Sequence, residues 1–272
     1  MISIIIPSYR SPQYLDICLK SAINGQENKN EIIVIIDGFV EESKHIISKY
    51  KVDVNFISLE ENSGMQHALN LGVYNAKNQK ILIINDDNVL PDKWDVILEN
   101  EYESNTVITI NQIEPHGPGI FNFHTYNFGE DAQTFKFDEF IKYEKIIRNN
   151  THSVSGRIFP FMINKKHYMT VNGFDTFYDS PFICDWDFFL KLEMLGKLNF
   201  YRTYKMHIYH FGSKATKNHK DKNESDKFRS GEHDAYKLFQ YKWGFNPSND
   251  PANNSKMPKY NETNGIVWNE SK

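Results

Sequence analysis

The stretch Lys80–Pro91, KILIINDDNVLP, constrains this chain more than any other. Ile81, Leu82, Ile83 and Ile84 follow one another without polar alternation, the pattern of a strand buried on both faces, which requires structure above and below it. The strand runs straight into Asn85, Asp86, Asp87 and Asn88. In an open α/β sheet, ligands bind beyond the carboxyl ends of the strands, so this acidic turn lies where chemistry is placed. Two adjacent carboxylates repel each other unless they are solvated or paired with a cation, and hard oxygen ligands of this type suit Mg2+ or Mn2+. The same residues also meet the plain needs of an Asp/Asn-rich turn that ends a strand.

The flanking sequence supplies the layers such a strand needs. Strands are expected at Ile2–Ile6 (stopped by Pro7), Glu31–Ile36 and Val54–Leu59. Helices are expected after Pro12, with Ser11 as N-cap, over Glu41–Tyr50, and over Gly64–Ala76, where Met65, Ala68, Leu69, Gly72 and Val73 share one face. Strand and helix alternating at this spacing is the pattern of right-handed crossovers in a parallel sheet. Past Pro91 the rhythm loosens. The pattern predicts helices at Trp94–Tyr102, Phe135–Ile147, Lys165–Val171 and Phe182–Gly196, and strands at Thr106–Ile110, Arg157–Ile163 and Phe200–Tyr209. Asn111–Phe128 reads as a long aromatic loop, Ser213–Asp226 as a mobile lysine-rich segment, Phe228–Trp243 as a last helix, and Asn246 onward as a flexible tail.

Composition narrows the function classes. The chain's 272 residues suffice for one large α/β domain or two small ones. A net charge of -4 gives no field to gather nucleic acid or an anionic membrane. Cys18 and Cys184 form no CxxC motif, which reads as a reduced, cytosolic-type protein, and the start of the chain is a strand rather than a signal peptide. No run approaches the roughly 18 apolar residues of a membrane span.

Four constellations fall just after strands or at a helix start. Pro7-Ser8-Tyr9 offers a ring and exposed backbone able to hold a flat base, and Asp37-Gly38 a carboxylate able to accept from a base N–H or a ribose hydroxyl. Asn62-Ser63-Gly64 opens a helix whose N-terminal amides favour an anion. Asp86-Asp87 completes the set. Each has an ordinary reading as a turn or cap, but together they line one edge of one sheet, which turns do not require. The set reads as a nucleoside-diphosphate site with a divalent ion.

The segments ISIIIPSYR, VIIDG, ENSGMQHALNLG (an N-x-G-x-x-x-A-x-N-x-G pattern), IINDDNVLP and NGFDTFYDSPFICDWDFFLKLEMLG, with weaker support from IYHFGS and YKWGF, resemble the family-2 glycosyltransferases over roughly Ile2–Phe245. The resemblance implies a GT-A fold: a Rossmann-like, mostly parallel sheet flanked by helices, with residues 1–110 as the donor half, 111–245 as the acceptor and catalytic half of the same domain, and 246–272 as a tail. It implies that Pro7, Ser8, Tyr9 and Asp37 hold the nucleoside, that Asn62 and Gly64 border ribose and phosphates, and that Asp86 sits near the ribose. Asp87 takes the metal position of the family's D-x-D motif, with Asn85 departing at its first position. His210 matches a third metal ligand of some members, for Mn2+ or Mg2+. Asp185 matches the general base of the Glu-Asp motif, although Cys184 replaces the Glu. Helix physics alone would explain Asp185 as an N-cap and Asp187 as an N3 carboxylate.

The implied activity is inverting transfer of a sugar, of the hexosyltransferase type, from a nucleoside-diphosphate sugar to a hydroxyl-bearing glycan or glycoconjugate, by a cytoplasmic protein or one peripheral to a membrane. Acceptor choice is expected in the Asn111–Phe128 segment, with Phe121, Phe123 and Tyr126, and in the region leading to Arg157. Two rivals are a sugar-phosphate nucleotidyltransferase, for which PSYRSPQ lacks the Gly-rich basic loop, and a non-catalytic binding relative, which Asn85 and Cys184 would favour.

Overall fold

The computed structural model describes residues 1–116, 124–153, 157–212, 222–245, 259–261 and 265–267. Its first half is β1 (Ile2–Ser8), α1 (Pro12–Asn24), β2 (Glu31–Asp37), α2 (Val40–Tyr50), β3 (Asn55–Leu59), α3 (Met65–Asn75), β4 (Lys80–Ile83), β5 (Asn88–Val89) and α4 (Trp94–Glu101). β6 (Thr106–Glu114), β7 (His124–Thr125), α5 (Phe137–Ile147), β8 (His152–Ser153), β9 (Phe161–Asn164), α6 (Lys165–Thr170), α7 (Cys184–Glu193), β10 (Asn199–His210) and α8 (Lys222–Trp243) follow. Lys259–Asn261 (β11) and Gly265–Val267 (β12) pair antiparallel within the expected tail.

The main sheet has the order β3-β2-β1-β4-β9-β6-β10-β5. β3, β2, β1 and β4 are mutually parallel, as the crossover pattern requires. β9 enters antiparallel to both β4 and β6, so the sheet is mixed where the two halves meet, and β6 and β10 are parallel again. β4 is buried on both faces, as its sequence dictates: Ile81 and Ile83 feed one core and Leu82 and Ile84 the other, all four fully buried. α1, α2 and α4 cover the second of these cores, and α3, α6, α7 and α8 the first. A third, ring-rich cluster (Tyr14, Phe128, Phe140, Tyr209 and Phe211 among its members) lies under α5.

Four sequence expectations change. β1 continues through Pro7 to Ser8. The Ile5 carbonyl faces β4, accepting from Ile84, and β4 pairs no further than Ile5, so Pro7 meets no ladder partner on that side that needs its missing N–H. Asn111–Glu114 is strand rather than loop, because β10 pairs along it as far as Ile113. The Arg157–Ile163 strand shrinks to Phe161–Asn164, while the last helix starts at Lys222 instead of Phe228. Residues 213–221, Phe121, Phe123 and most of the expected tail lie outside the described residues. Among the described residues no helix is long and apolar enough to cross a membrane.

The N-x-G-x-x-x-A-x-N-x-G pattern is read out along α3. Gly64 has φ +92° and precedes the helix, Ala68 is fully buried, and Gly72 lies against the sheet, where an added Cβ would come within 2.5 Å of Ile5 Cγ2 and 2.6 Å of Ile35 Cδ1. Asn70 crosses to the second half. Its Oδ1 accepts from the Tyr168 hydroxyl (2.7 Å) and the Phe174 amide (2.9 Å), and its Nδ2 donates to the Phe174 carbonyl (2.8 Å). Helix propensity alone would reward Gly72→Ala by about 1 kcal/mol, but overpacking against two fully buried isoleucines costs about 1–3 kcal/mol. Gly72→Ala is therefore expected to lower stability in urea unfolding; an unchanged or higher midpoint would refute this packing account.

Candidate active site

The carboxyl ends of β1, β2 and β4 bring the donor-side candidates together, and much of their bonding is to one another. Asp37, at the end of β2, accepts from the Ser63 amide (2.7 Å), the Ser63 hydroxyl (3.0 Å) and the Gly64 amide (3.0 Å). Asn62 Oδ1 also accepts from the Gly64 amide at 3.0 Å. The anion seated at the start of α3 is thus the chain's own Asp37, buried to 3% exposure, which fixes the loop that Asn62 and Gly64 form. Gly38 (φ +81°) lets this loop close, since a Cβ there would sit 3.1 Å from the Asn62 nitrogen.

Asp86 does similar work between β4 and β1. It accepts from Ser8 Oγ at 2.7 Å and from Ser11 Oγ. Ser11 accordingly makes no side-chain cap on α1; its hydroxyl is spent on Asp86. Burial, reinforced by the neighbouring Asp87 charge, pushes the Asp86 carboxyl up to about 7 despite these donors. At the rim, Tyr9 and Phe39 meet edge to face (5.4 Å between centroids), and the Arg10 guanidinium lies 4.1 Å from the Phe39 ring centre. Arg10 and Phe39 both hold left-handed backbone (φ 55° and 56°), a conformation that costs energy and concentrates at functional sites.

Asp87 and His210 meet, although 123 residues separate them in sequence: His210 Nε2 lies 3.4 Å from Asp87 Oδ1. β5 pairs His210 with Asn88, and the Phe211 amide donates to the Asp87 carbonyl, which sets this approach. His210 Nδ1 is 2.7 Å from Glu114 Oε1, a residue that sequence reasoning missed. Glu114 can only accept, which assigns the proton to Nδ1. In the neutral ring, the Nε2 lone pair then faces a carboxylate oxygen, an arrangement that calls for positive charge at that point, either a ring proton or a metal ion. A carboxylate orienting the ring of a metal-binding histidine is the usual outer-shell pattern. Among the described residues no group of three or more His, Cys, Asp or Glu forms a ready-made metal cluster. One carboxylate and one imidazole could fill at most two positions of a divalent ion, the carboxylate suiting Mg2+ or Mn2+ and the other positions falling to phosphate and water.

Asp185 is placed differently from the helix-cap expectation. The N-cap of α7 is Ile183, so Asp185 occupies N2 and Asp187 N4. Ile183 is a β-branched residue at φ 70°, a genuine outlier immediately before the candidate base. Asp185 Oδ1 accepts from the Trp186 amide (2.9 Å), and burial pushes its carboxyl up to about 7, although the residue retains part of its exposure. The segment leading into α7 is tied to the first turn of α3, where Gln66 Nε2 donates to the Ser180 carbonyl (2.5 Å). The loop five residues before Asp185 is therefore held at the start of α3, directly after the Asp37-braced loop. Asp187 is fully buried and accepts from Tyr178 and Trp243.

In the region where acceptor choice is expected, Tyr126 is 44% exposed and stacks on Phe128 (4.4 Å), while Arg157 pairs with Glu193 at 2.6 Å.

The family model described as Glycosyl transferase family 2 matches residues 3–173, more than half of the chain. An uncharacterized glycosyltransferase of Haemophilus influenzae is 28% identical over 193 residues, covering 71% of this chain and 62% of that protein. Glycosyltransferase GlyG of Streptococcus pneumoniae is 24% identical over 135 residues, 48% of this chain and 45% of its own length. The chain thus spans less than two thirds of either relative. Among solved structures, S. aureus TarS 1-349 in complex with UDP-GlcNAc superposes with a TM-score of 0.59 at 14% identity, covering 94% of this chain and 70% of that one. Mannosyltransferase PcManGT from Pyrobaculum calidifontis, in complex with GDP-Man and Mn2+, gives 0.58 at 13% identity, covering 90% and 65%. With the parallel donor-side strands, the acidic turn after β4 and this profile match in agreement, the chain belongs to glycosyltransferase family 2 and has the GT-A fold.

Proposed function

We propose that the protein transfers a sugar from a nucleoside-diphosphate sugar to a hydroxyl acceptor with inversion, using Asp185 as general base. The observation that carries this reading is Asp185 itself: a carboxyl raised by burial to about 7 on a partly exposed residue, in a helix whose leading segment is bonded to the first turn of α3. A base poised near the working pH best combines availability with proton affinity. The acceptor hydroxyl gives its proton to Asp185 as its oxygen attacks the anomeric carbon, opposite the departing nucleoside diphosphate.

Pro7, Ser8, Tyr9 and the Asp37-braced loop with Asn62 and Gly64 border the nucleoside and phosphates, and Asp86 holds the Ser8–Ser11 turn in shape beside the ribose. Asp87 and His210 would hold Mg2+ or Mn2+, whose role when bound is to offset charge on the leaving diphosphate. Donors of this class are present in the TarS and PcManGT complexes, the second of which also includes Mn2+. Acceptor choice is assigned to the segment around Tyr126 and the approach to Arg157.

Asp185→Asn separates the base from a mere helix-start residue. Because the base works ionised, wild-type transfer should rise with pH through about 7. The variant should fold and lose transfer by about 10²–10⁴-fold at pH 8. A raised carboxyl favours the folded state below its unfolded pKa and loses that advantage as pH climbs through about 7, so the variant should melt no lower than wild type at pH 8. Near-normal turnover would remove Asp185 from the mechanism.

The ion site is tested by calorimetry with UDP and GDP. Affinity should increase with Mn2+, and Asp87→Ala should abolish the increase. Glu114→Gln, which keeps an oxygen for the His210 proton but removes the charge, should weaken Mn2+ enhancement by about 10–100-fold in metal concentration. Equal nucleotide affinity in EDTA and Mn2+ for the wild type would exclude the ion from this site.

A further inference from the structure

The proposed mechanism leaves one buried acid of α7 without a task. Asp187 is fully buried, so an acceptor cannot reach it, yet its Oδ1 serves three donors from two other parts of the chain. Trp243 Nε1 donates at 2.8 Å, Lys242 Nζ lies at 2.7 Å and the Tyr178 hydroxyl at 3.3 Å. Lys242 continues to Asp175 Oδ2 at 2.6 Å, bridging α8 to the loop that leads into α7. Burial works against the Lys242 ammonium, but the bonds to Asp175 and Asp187 outweigh it and raise its pKa. Elsewhere α8 packs on the residues around Asp185. The Tyr236 ring meets Trp186 edge to face (6.4 Å), and a Cβ on Gly231 would lie 3.5 Å from Ser180 Cβ. Phe239, fully buried, takes α8 into the first core.

A buried carboxylate is retained only where specific partners offset its desolvation, and here those partners lie chiefly at the end of one helix. We propose that Asp187 is a positioning residue that docks the C-terminal helix α8, through Lys242 and Trp243, onto the turn carrying Asp185, so that α8 forms a wall of the cleft beside that carboxyl. This rests on Asp185 being the base. It also places part of the catalytic architecture beyond residue 173, where the family match ends.

The test uses the full chain and the variants Asp187→Ala, Lys242→Met and the double, with Asp185→Asn alongside. Hydrogen exchange is followed by mass spectrometry, and turnover with UDP-GlcNAc and GDP-mannose in Mn2+ is followed as nucleotide release. Both single variants should speed amide exchange in residues 222–245 by at least about 10-fold while β1, β2 and β4 keep their protection. Turnover should fall about 10- to 100-fold with the donor KM unchanged. The double variant should lose no more than Asp187→Ala alone, since both act through one contact. Lys242→Met, altering a side chain that is 30% exposed, keeps the test valid if Asp187→Ala does not fold. Unchanged exchange in α8, loosening spread over the whole chain, or a loosened α8 with normal turnover would each overturn the proposal. Full activity of Asp185→Asn would instead overturn the base reading, with exchange in α8 still deciding whether Asp187 docks the helix.

Discussion

The structure depends on α3 lying close against the sheet while bonding to the second half of the chain. Its inner face touches Ile5 and Ile35 so closely that position 72 has no room for a methyl group. Its outer side sends Asn70 to Phe174 and Gln66 to Ser180. A displacement of α3 by the width of one methyl group would disturb both sets of bonds. Protein interiors are packed too densely to absorb such a shift locally. The loop braced by Asp37, the start of α3 and the approach to Asp185 are therefore positioned by one helix, which explains how a site assembled from distant segments keeps a fixed shape.

The buried acids differ in how many donors the neighbouring loops direct at them. Asp37 and Asp95 are well supplied with donors: Asp95 takes the Glu27 and Asn28 amides and the side chains of Asn28 and Asn30, which outweigh burial and keep its carboxyl below the usual range. Asp86 has comparable support, yet the charge of Asp87 beside it adds to burial and the balance goes the other way. Asp185 has only amide donors from its own turn, and burial prevails. The strength of a carboxylate's environment here follows from how many donors the neighbouring loops can direct at it.

Much of the donor side was legible in the sequence because both signals there are local. Apolar runs such as Ile81–Ile84 specify burial, and the polar residues that end them specify the sheet edge. The meeting of Asp87 with His210 came from resemblance rather than from spacing, since β10 reaches β5 only through the sheet order. Glu114 was hidden by reading Asn111–Phe128 as loop. The polar pair Asn111-Gln112 interrupts the apolar run, but both side chains are buried in the strand, and the acid at its end has the same relation to β6 that Asp86-Asp87 has to β4. The bonds from Asp187 to α8 were not legible at all. An acid near a helix start has a sufficient local explanation, and only the tertiary position of Trp243 and Lys242 displaces it.

The two departures from the family pattern fit this geometry. Cys184 is fully buried in the core formed with Tyr168 and Phe188, its thiol directed to the Pro181 carbonyl at 3.2 Å, and burial raises its pKa well above the usual value. A carboxylate in that pocket would need donors to offset its desolvation, whereas a neutral thiol needs almost none. At the other site, the Asn85 backbone closes the acidic turn: its amide donates to Asn88 Oδ1 at 2.9 Å and its carbonyl accepts from the Asn88 amide at 3.2 Å. That turn presents Asp86 to the serines of the β1 loop and Asp87 to His210. The backbone bonds that shape it make no demand for an acid at position 85. The packing around position 184 and the backbone bonds at position 85 thus hold without an acid at either place.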